Sequence, residues 1–162
     1  MNNNQRKNKS AVIIRDMTVA DLPAIVSLEL SIFTDHWPGS AFQDHLDNAD
    51  CRALVADRDG SVIGYACCCY SGNQGHLTNI AVSPDSRRKS VATQLLKAIL
   101  SIVNECGCDQ LFLEVRPGNV AACAFYQRFG FIYRYRRRQW YNDPVEDALV
   151  LVRQVEQSEE IR

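Results

Sequence analysis

Between His76 and Arg116 the chain reads as a strand, a helix and a second strand, and this order constrains the fold more than any other feature. The run HLTNIAV is strand-like. After the basic turn SPDSRRKS, the positions Ala92, Leu95, Leu96, Ile99, Val103 and Cys106 recur at helical spacing, and QLFLEVR then alternates apolar and polar residues. Two strands joined by such a helix lie parallel in one sheet, with a right-handed crossover and the helix on one face. The preceding stretch CRALVADRDGSVIGYACCCY holds two strand-like runs around Asp59-Gly60, a dipeptide favoured in tight hairpin turns, so an antiparallel pair adjoins the parallel unit.

The remaining elements extend this mixed sheet. AVIIRDM reads as a first strand, and TVADLPAIVSLELSIF as a helix capped by Thr18, with Asp21 three residues later. DHWPGSAFQDHL holds a Trp-Pro-Gly break and a second short helix. NVAACAFYQRF is a helix stopped by Gly130, and FIYRYRRRQWY and DALVLVRQV supply two more strands. The expected fold is therefore α/β (α+β), a mixed central sheet of about six to seven strands with helices on both faces. A single domain over residues 11–155 is expected, after a mobile polar arm at 1–10 and before a frayed tail at 156–162.

Composition narrows the partners. With 18 basic and 19 acidic residues the net charge is -1, so no global field points to DNA or to an anionic membrane, and no apolar run approaches the roughly 20 residues of a membrane span. The seven cysteines are odd in number, contain no CxxC and follow no cleavable leader, which predicts free thiols in a reducing cytoplasm. Cys67, Cys68 and Cys69 alternate across a strand and cannot meet on one metal without partners from elsewhere, and His36, His45 and His76 lack metal spacing; no metal site is expected.

Two features carry chemistry. Arg87, Arg88 and Lys89 precede a helix start, where unpaired N–H groups and a partial positive charge favour an anion such as phosphate; the plainer reading is a solvated basic turn. In QLFLEVR, alternation sets Phe112, Glu114 and Arg116 opposite Leu111, Leu113 and Val115. A carboxylate in a central strand needs a cation, Arg116 or another, or faces a wet cleft where it can serve as a general base.

The pattern Arg87-x-x-Ser90-x-Ala92 resembles the pyrophosphate loop of the GCN5-related N-acetyltransferase (GNAT) superfamily, whose form is Gln or Arg, two residues, Gly, one residue, Gly or Ala; Ser90 departs from its first glycine. The resemblance runs over residues 11–153. It is densest in NIAVSPDSRRKSVATQLL, LEVRPGNVAACAFYQRFGF and YNDPVEDALVL, and within the superfamily it is nearest the RimI branch of ribosomal-protein-alanine N-acetyltransferases. It implies a splayed parallel strand pair and acetyl-CoA as co-substrate, without a metal. By that resemblance the backbone at Ile80, Ala81 and Val82 meets the acyl carbonyl and pantetheine amides. Arg87, Arg88, Lys89, Ser90, Val91, Ala92 and Thr93 hold the pyrophosphate, Ser90 capping the helix or bonding phosphate, and Asn119 and Ala122 line the pantetheine arm. Capping its own helix is the alternative for Asn119. Glu114 becomes the base, and Tyr126, otherwise a core tyrosine, the proton donor to the departing thiolate.

The implied acceptor is a protein N-terminus, the N-terminal alanine of a ribosomal protein, attacked directly in a ternary complex. Trp37 and Tyr141, with Glu114 and the acidic Asp143, Glu146 and Asp147, are candidates for the groove that takes it. Two other readings remain: a small-amine acetyltransferase, and a non-catalytic acyl-CoA-binding or RNA-binding module, the latter prompted by YRYRRRQWY. As a strand that stretch divides Tyr133, Tyr135, Arg137 and Gln139 from Arg134, Arg136, Arg138 and Trp140, which fits a charged sheet edge.

Overall fold

The structure is a computed structural model and describes residues 10–156. The arm and tail expected at the termini lie, apart from Ser10 and Glu156, outside the described residues. The elements run β1 (Ile13–Asp16), α1 (Leu22–Ile32), α2 (Gly39–Asp47), β2 (Cys51–Arg58), β3 (Ser61–Ser71), β4 (Gln74–Val82), α3 (Val91–Glu105), β5 (Gln110–Val115), α4 (Val120–Arg128), β6 (Ile132–Asn142) and β7 (Val145–Gln154). Among the described residues seven strands form one sheet in the order β1-β2-β3-β4-β5-β7-β6, antiparallel throughout except for β4 with β5. The mixed sheet and the crossover expected from His76 to Arg116 are both present.

Each face of the sheet has its own core. On one, Leu95, Leu96, Ile99 and Val103 of α3 pack with Leu111, Leu113 and Val115 of β5 and with Tyr126 of α4. The expected α3 stripe holds except at its end, where Cys106 is exposed as the chain leaves the helix. Gly75 permits the close approach, since a Cβ there would lie 2.8 Å from Val103 Cγ1. On the other face, α1 and α2 cover Val55, Tyr65, Cys67 and Ala81. Entry to α1 is fixed by Asp21, whose Oδ2 accepts from Thr18 N at 2.8 Å while Arg15 grips both carboxylate oxygens at 2.8 Å. That guanidinium outweighs burial and pushes the Asp21 carboxyl down to about 2. Thr18 thus precedes a short 3-10 turn at Val19–Asp21 rather than opening α1 directly.

The expectation of free thiols needs correction. Cys51 and Cys69 are joined by a disulfide, because antiparallel pairing of β2 and β3 sets them directly opposite one another. Cys67 and Cys68 divide between the two cores as the alternation predicts. No described helix is long and apolar enough to cross a membrane.

Candidate active site

β4 and β5 pair only at Gln74–His76 with Gln110–Phe112, although β4 continues to Val82 and β5 to Val115. Beyond His76 the β5-facing edge of β4 therefore has no strand partner, and along Ile80, Ala81 and Val82, all paired with β3 on the other edge, alternate residues direct backbone groups into the splay. A 3-10 turn at Pro84–Ser86 leads from that edge to α3. The first bond of α3 runs from Gln94 N to Ser90 O at 3.0 Å, which leaves the N–H groups of Val91, Ala92 and Thr93 without intrahelical acceptors. Arg88 and Ser90 have φ of 59° and 62°, in the left-handed region that favours glycine, so Ser90 keeps a glycine conformation while carrying a Cβ. Its hydroxyl makes no capping bond, contrary to one reading of the sequence. Arg87, Arg88, Lys89 and Ser90 are exposed; Arg87 Nε donates to Val82 O at 3.3 Å and Lys89 Nζ to Asp85 O at 2.6 Å. Val91 is buried, so only its backbone can meet a ligand, while Ala92 and Thr93 are half-buried.

Glu114 stands beside the splay with its side chain only 7% exposed. Leu111, Leu113 and Val115 of the same strand are buried in the α3 and α4 core, which turns Glu114 toward the other face. Oε2 accepts from His76 Nε2 at 2.6 Å; a carboxylate can only accept, so that nitrogen carries the proton. The His76 ring stacks on Phe112 at 4.2 Å. Arg137 Nε lies 3.2 Å from Oε1, an ion pair, but the two atoms are buried without hydrogen-bond alignment. The partner of Glu114 is therefore not Arg116. That guanidinium lies 4.1 Å over the Tyr141 ring, bonds Glu146 Oε2 and Asp143 O at 3.0 Å each, and approaches Asp35 at 3.9 Å.

Tyr126, on α4, is buried against Phe125 and Phe131, with ring centroids 5.4 and 5.6 Å away. Burial, with Tyr141 as a lesser contributor, raises its phenol, which stays protonated at neutral pH. The Tyr141 phenol is pushed up to about 12 by its own burial; Arg116 opposes the rise, and the Glu114 charge adds to it. Tyr141 interacts electrostatically with Glu114 and with Tyr126, so it lies in the neighbourhood of each. Asn119 caps α4, its Oδ1 accepting from Ala122 N at 3.2 Å, and Ala122 is half-buried.

The bend after α1 and the β6–β7 turn close over this neighbourhood. Thr34 Oγ1 donates to Asp143 O at 2.6 Å, and Asn142 N to Asp35 Oδ2 at 2.8 Å. The Trp37 ring packs on Phe42 and His45 at 5.4 and 5.0 Å, and the backbone N–H of Trp37 donates to Glu29 Oε1 at 2.8 Å; Glu29 is itself buried and also bonded by Tyr65 and Asn79. Two of the acidic groove candidates are already paired, Glu146 with Arg116 and Asp147 with Arg136.

His76, Arg137 and Asp35 escaped the reading of the sequence. His76 meets Glu114 only through the parallel register His76 to Phe112, and Arg137 shares the face of Glu114 because β6 sets it opposite Ala148, two residues along β7 from Val150, the partner of Glu114. Neither register is written in local pattern.

An open strand edge followed by a basic turn and a helix start, with the nearly buried Glu114 beside the splay, is the frame of an acyltransferase, and the chain belongs to the acetyltransferase (GNAT) family, which residues 22–131 match. It is an N-acetyltransferase. Among similar proteins is one of Bacillus subtilis assigned provisionally as a ribosomal protein bS18-alanine N-acetyltransferase, 31% identical over 144 residues, covering 88% of this chain and 95% of that protein. An N-alpha-acetyltransferase of Saccharolobus solfataricus is 29% identical over 153 residues, covering 86% and 91%. The crystal structure of the Escherichia coli ribosomal-protein-S18-alanine N-acetyltransferase superposes with a TM-score of 0.83 at 27% identity, covering 94% of this chain and 99% of that one.

Proposed function

We propose that the chain moves the acetyl group of acetyl-CoA to the α-amino group of a protein N-terminus, specifically the N-terminal alanine of a ribosomal protein, by direct attack in a ternary complex. One observation carries the reading: Glu114 is nearly buried beside the splay, with Oε2 held by His76 and Oε1 without a hydrogen bond. A buried carboxylate oxygen whose partner, the Arg137 guanidinium at 3.2 Å, is out of hydrogen-bond alignment keeps the capacity to accept a proton, which is useful in a base. The names of the relatives support the same acceptor class.

In this mechanism the N–H groups of Val91, Ala92 and Thr93, with Arg87, Arg88 and Lys89 around them, take the pyrophosphate of acetyl-CoA. Its pantetheine arm adds to the open edge at Ile80–Val82 and passes Asn119 and Ala122, and an edge N–H polarises the thioester carbonyl. The amine nitrogen attacks the carbonyl carbon, forming the C–N bond. Its proton goes to Glu114, directly or through one water, with Arg137 and His76 holding the carboxylate in place. The C–S bond then breaks and the thiolate takes the Tyr126 proton. An α-amino group, with a pKa of about 7.7 to 8.0 against about 10.4 for lysine, is already roughly 10% neutral near pH 7, so a carboxylate base suffices. Tyr141 and the bend set by Trp37 flank the groove for the first residues of the acceptor.

The test is incubation with acetyl-CoA and peptides beginning Ala, Ser or Met, with polyamine and aminoglycoside controls, followed by mass spectrometry to locate the acetyl group. Acetylation at the α-amine of the Ala peptide is expected. Turnover of the small amines alone would overturn the acceptor class.

A further inference from the structure

The expectation that Cys67, Cys68 and Cys69 could share no metal rested on alternation and on the lack of partners from elsewhere. The fold supplies such partners to Cys69. Cys51, at the start of β2, lies directly across from it, and His45, in the last turn of α2, leans over the pair. One donor atom from each of His45, Cys51 and Cys69 lies within 4.8 Å of the other two. Cys51 is buried, while His45 and Cys69 are half-buried.

The histidine is set as a ligand would be. Its Nδ1 lies 3.0 Å from Ala41 O, a carbonyl that can only accept, so the ring proton belongs on Nδ1 and the lone pair on Nε2. A second-sphere carbonyl fixing the tautomer in this way is the usual companion of a metal-bound imidazole. Nε2 lies 3.1 Å from Thr78 Oγ1, which is also 3.0 Å from Cys67 O, so the hydroxyl proton has two acceptors to choose between. If a cation takes the Nε2 lone pair, Thr78 still has Cys67 O, and no buried donor is orphaned.

We propose that in the reduced protein Cys51, Cys69 and His45 bind a soft divalent cation of the zinc class, so that disulfide and metal are alternative states of one site. Two thiolates and one imidazole select such a cation over calcium or magnesium, which prefer oxygen ligands, and the half-buried side leaves a fourth position for water. A phosphine reductant balances the first step: phosphorus supplies two electrons and becomes the phosphine oxide, the S–S bond breaks, and water supplies the oxide's oxygen and the two thiol protons. Cation binding then forms two metal–sulfur bonds and releases those two protons. The centre adjoins the candidate active site, because Cys69 pairs across strands with His76, the residue bonded to Glu114. It would also tie α2 to the sheet.

The test uses the full chain reduced with a phosphine, freed of reductant, and titrated with Co2+ and then Zn2+. One equivalent of Co2+ is expected to give tetrahedral d–d bands and thiolate charge-transfer absorption, both bleached by Zn2+. Cys51→Ser, Cys69→Ser and His45→Gln should each weaken binding at least tenfold, the lower end of what loss of one interaction near a metal costs. Cys106→Ser, an exposed thiol outside the cluster, should leave it unchanged. Wild-type protein gives a readout free of folding effects: Zn2+ should slow iodoacetamide alkylation of Cys51 and Cys69 selectively, with two protons released per cation. Protection of other cysteines, or no protection in protein shown by mass to be reduced, would overturn the proposal.

Discussion

The two faces of the sheet are built by different rules. On the α3 and α4 face, Leu95, Leu96, Ile99, Val103 and Leu111 are fully buried and carry nothing to titrate. On the α1 and α2 face the chain buries Glu29 under Tyr65 and Asn79, and keeps Glu114 nearly buried between His76 and Arg137. Apolar packing contributes roughly 25 cal/mol per Å² removed from water, whereas a buried carboxylate costs several kcal/mol before its partners offset it. A domain that spends stability on one face must recover it on the other. The ion-paired carboxylates belong to the costly face, whereas Tyr126 and the start of α3 lie on the apolar one, whose packing holds the sheet in register.

Breaking this division should give unlike phenotypes. The largest effect is expected for Glu114→Gln on the polar face: acetyl transfer to an Ala-initiated peptide falls by about 10² to 10⁴ while acetyl-CoA affinity is kept, since the base is lost and the α3 loop is untouched. Gln can still accept from His76, so the fold survives with a loss of about 1–3 kcal/mol, read by urea titration. Rates within tenfold of wild type would reduce Glu114 to an ion-pair residue. On the apolar face, Leu96→Ala should cost about 2–5 kcal/mol in the same titration, because Leu96 is fully buried in the core. Turnover per folded molecule should stay within about twofold. A large loss of turnover at temperatures where Leu96→Ala remains folded would show that the two faces are not separable.

What the sequence discloses follows the same division. The alternation of QLFLEVR was legible because β5 is central, with one side entirely apolar, and the α3 stripe because it covers that side. The polar face depends on register, which local pattern does not encode. A two-residue turn at Asp59-Gly60 starts the hairpin with Arg58 opposite Ser61, and continued regularly it would set Cys51 opposite Cys68. A bulge between Ala56 and Asp57 advances the pairing by one residue, brings Cys69 across instead, and forms the disulfide that the sequence did not foretell. Arg137 reaches Glu114 through the pairing of β6 with β7, which sets it opposite Ala148, two residues from the Val150 that pairs with Glu114. The extent of the splay was likewise invisible, since β4 and β5 remain good strands beyond the point where they part.

The smallest effect, and the sharpest for the loop that joins the faces, is expected at Ser90. Its φ of 62° costs a residue with a Cβ about 1–2 kcal/mol, and Ser90→Gly removes that cost. Glycine also gives the unfolded chain more freedom, which takes back about 0.4–1 kcal/mol. With no capping bond from the hydroxyl to lose, the net gain is expected to lie between about 0 and 1.6 kcal/mol, a small rise in the urea midpoint. The more telling readout is calorimetric titration with CoA. Removing the Cβ beside the N–H groups of Val91, Ala92 and Thr93 should tighten binding severalfold if they take the pyrophosphate, because the backbone can then approach the phosphates more closely. Unchanged affinity alongside the small stability gain would mean that the phosphates do not rest on this helix start, and that serine at this position bears only on the turn.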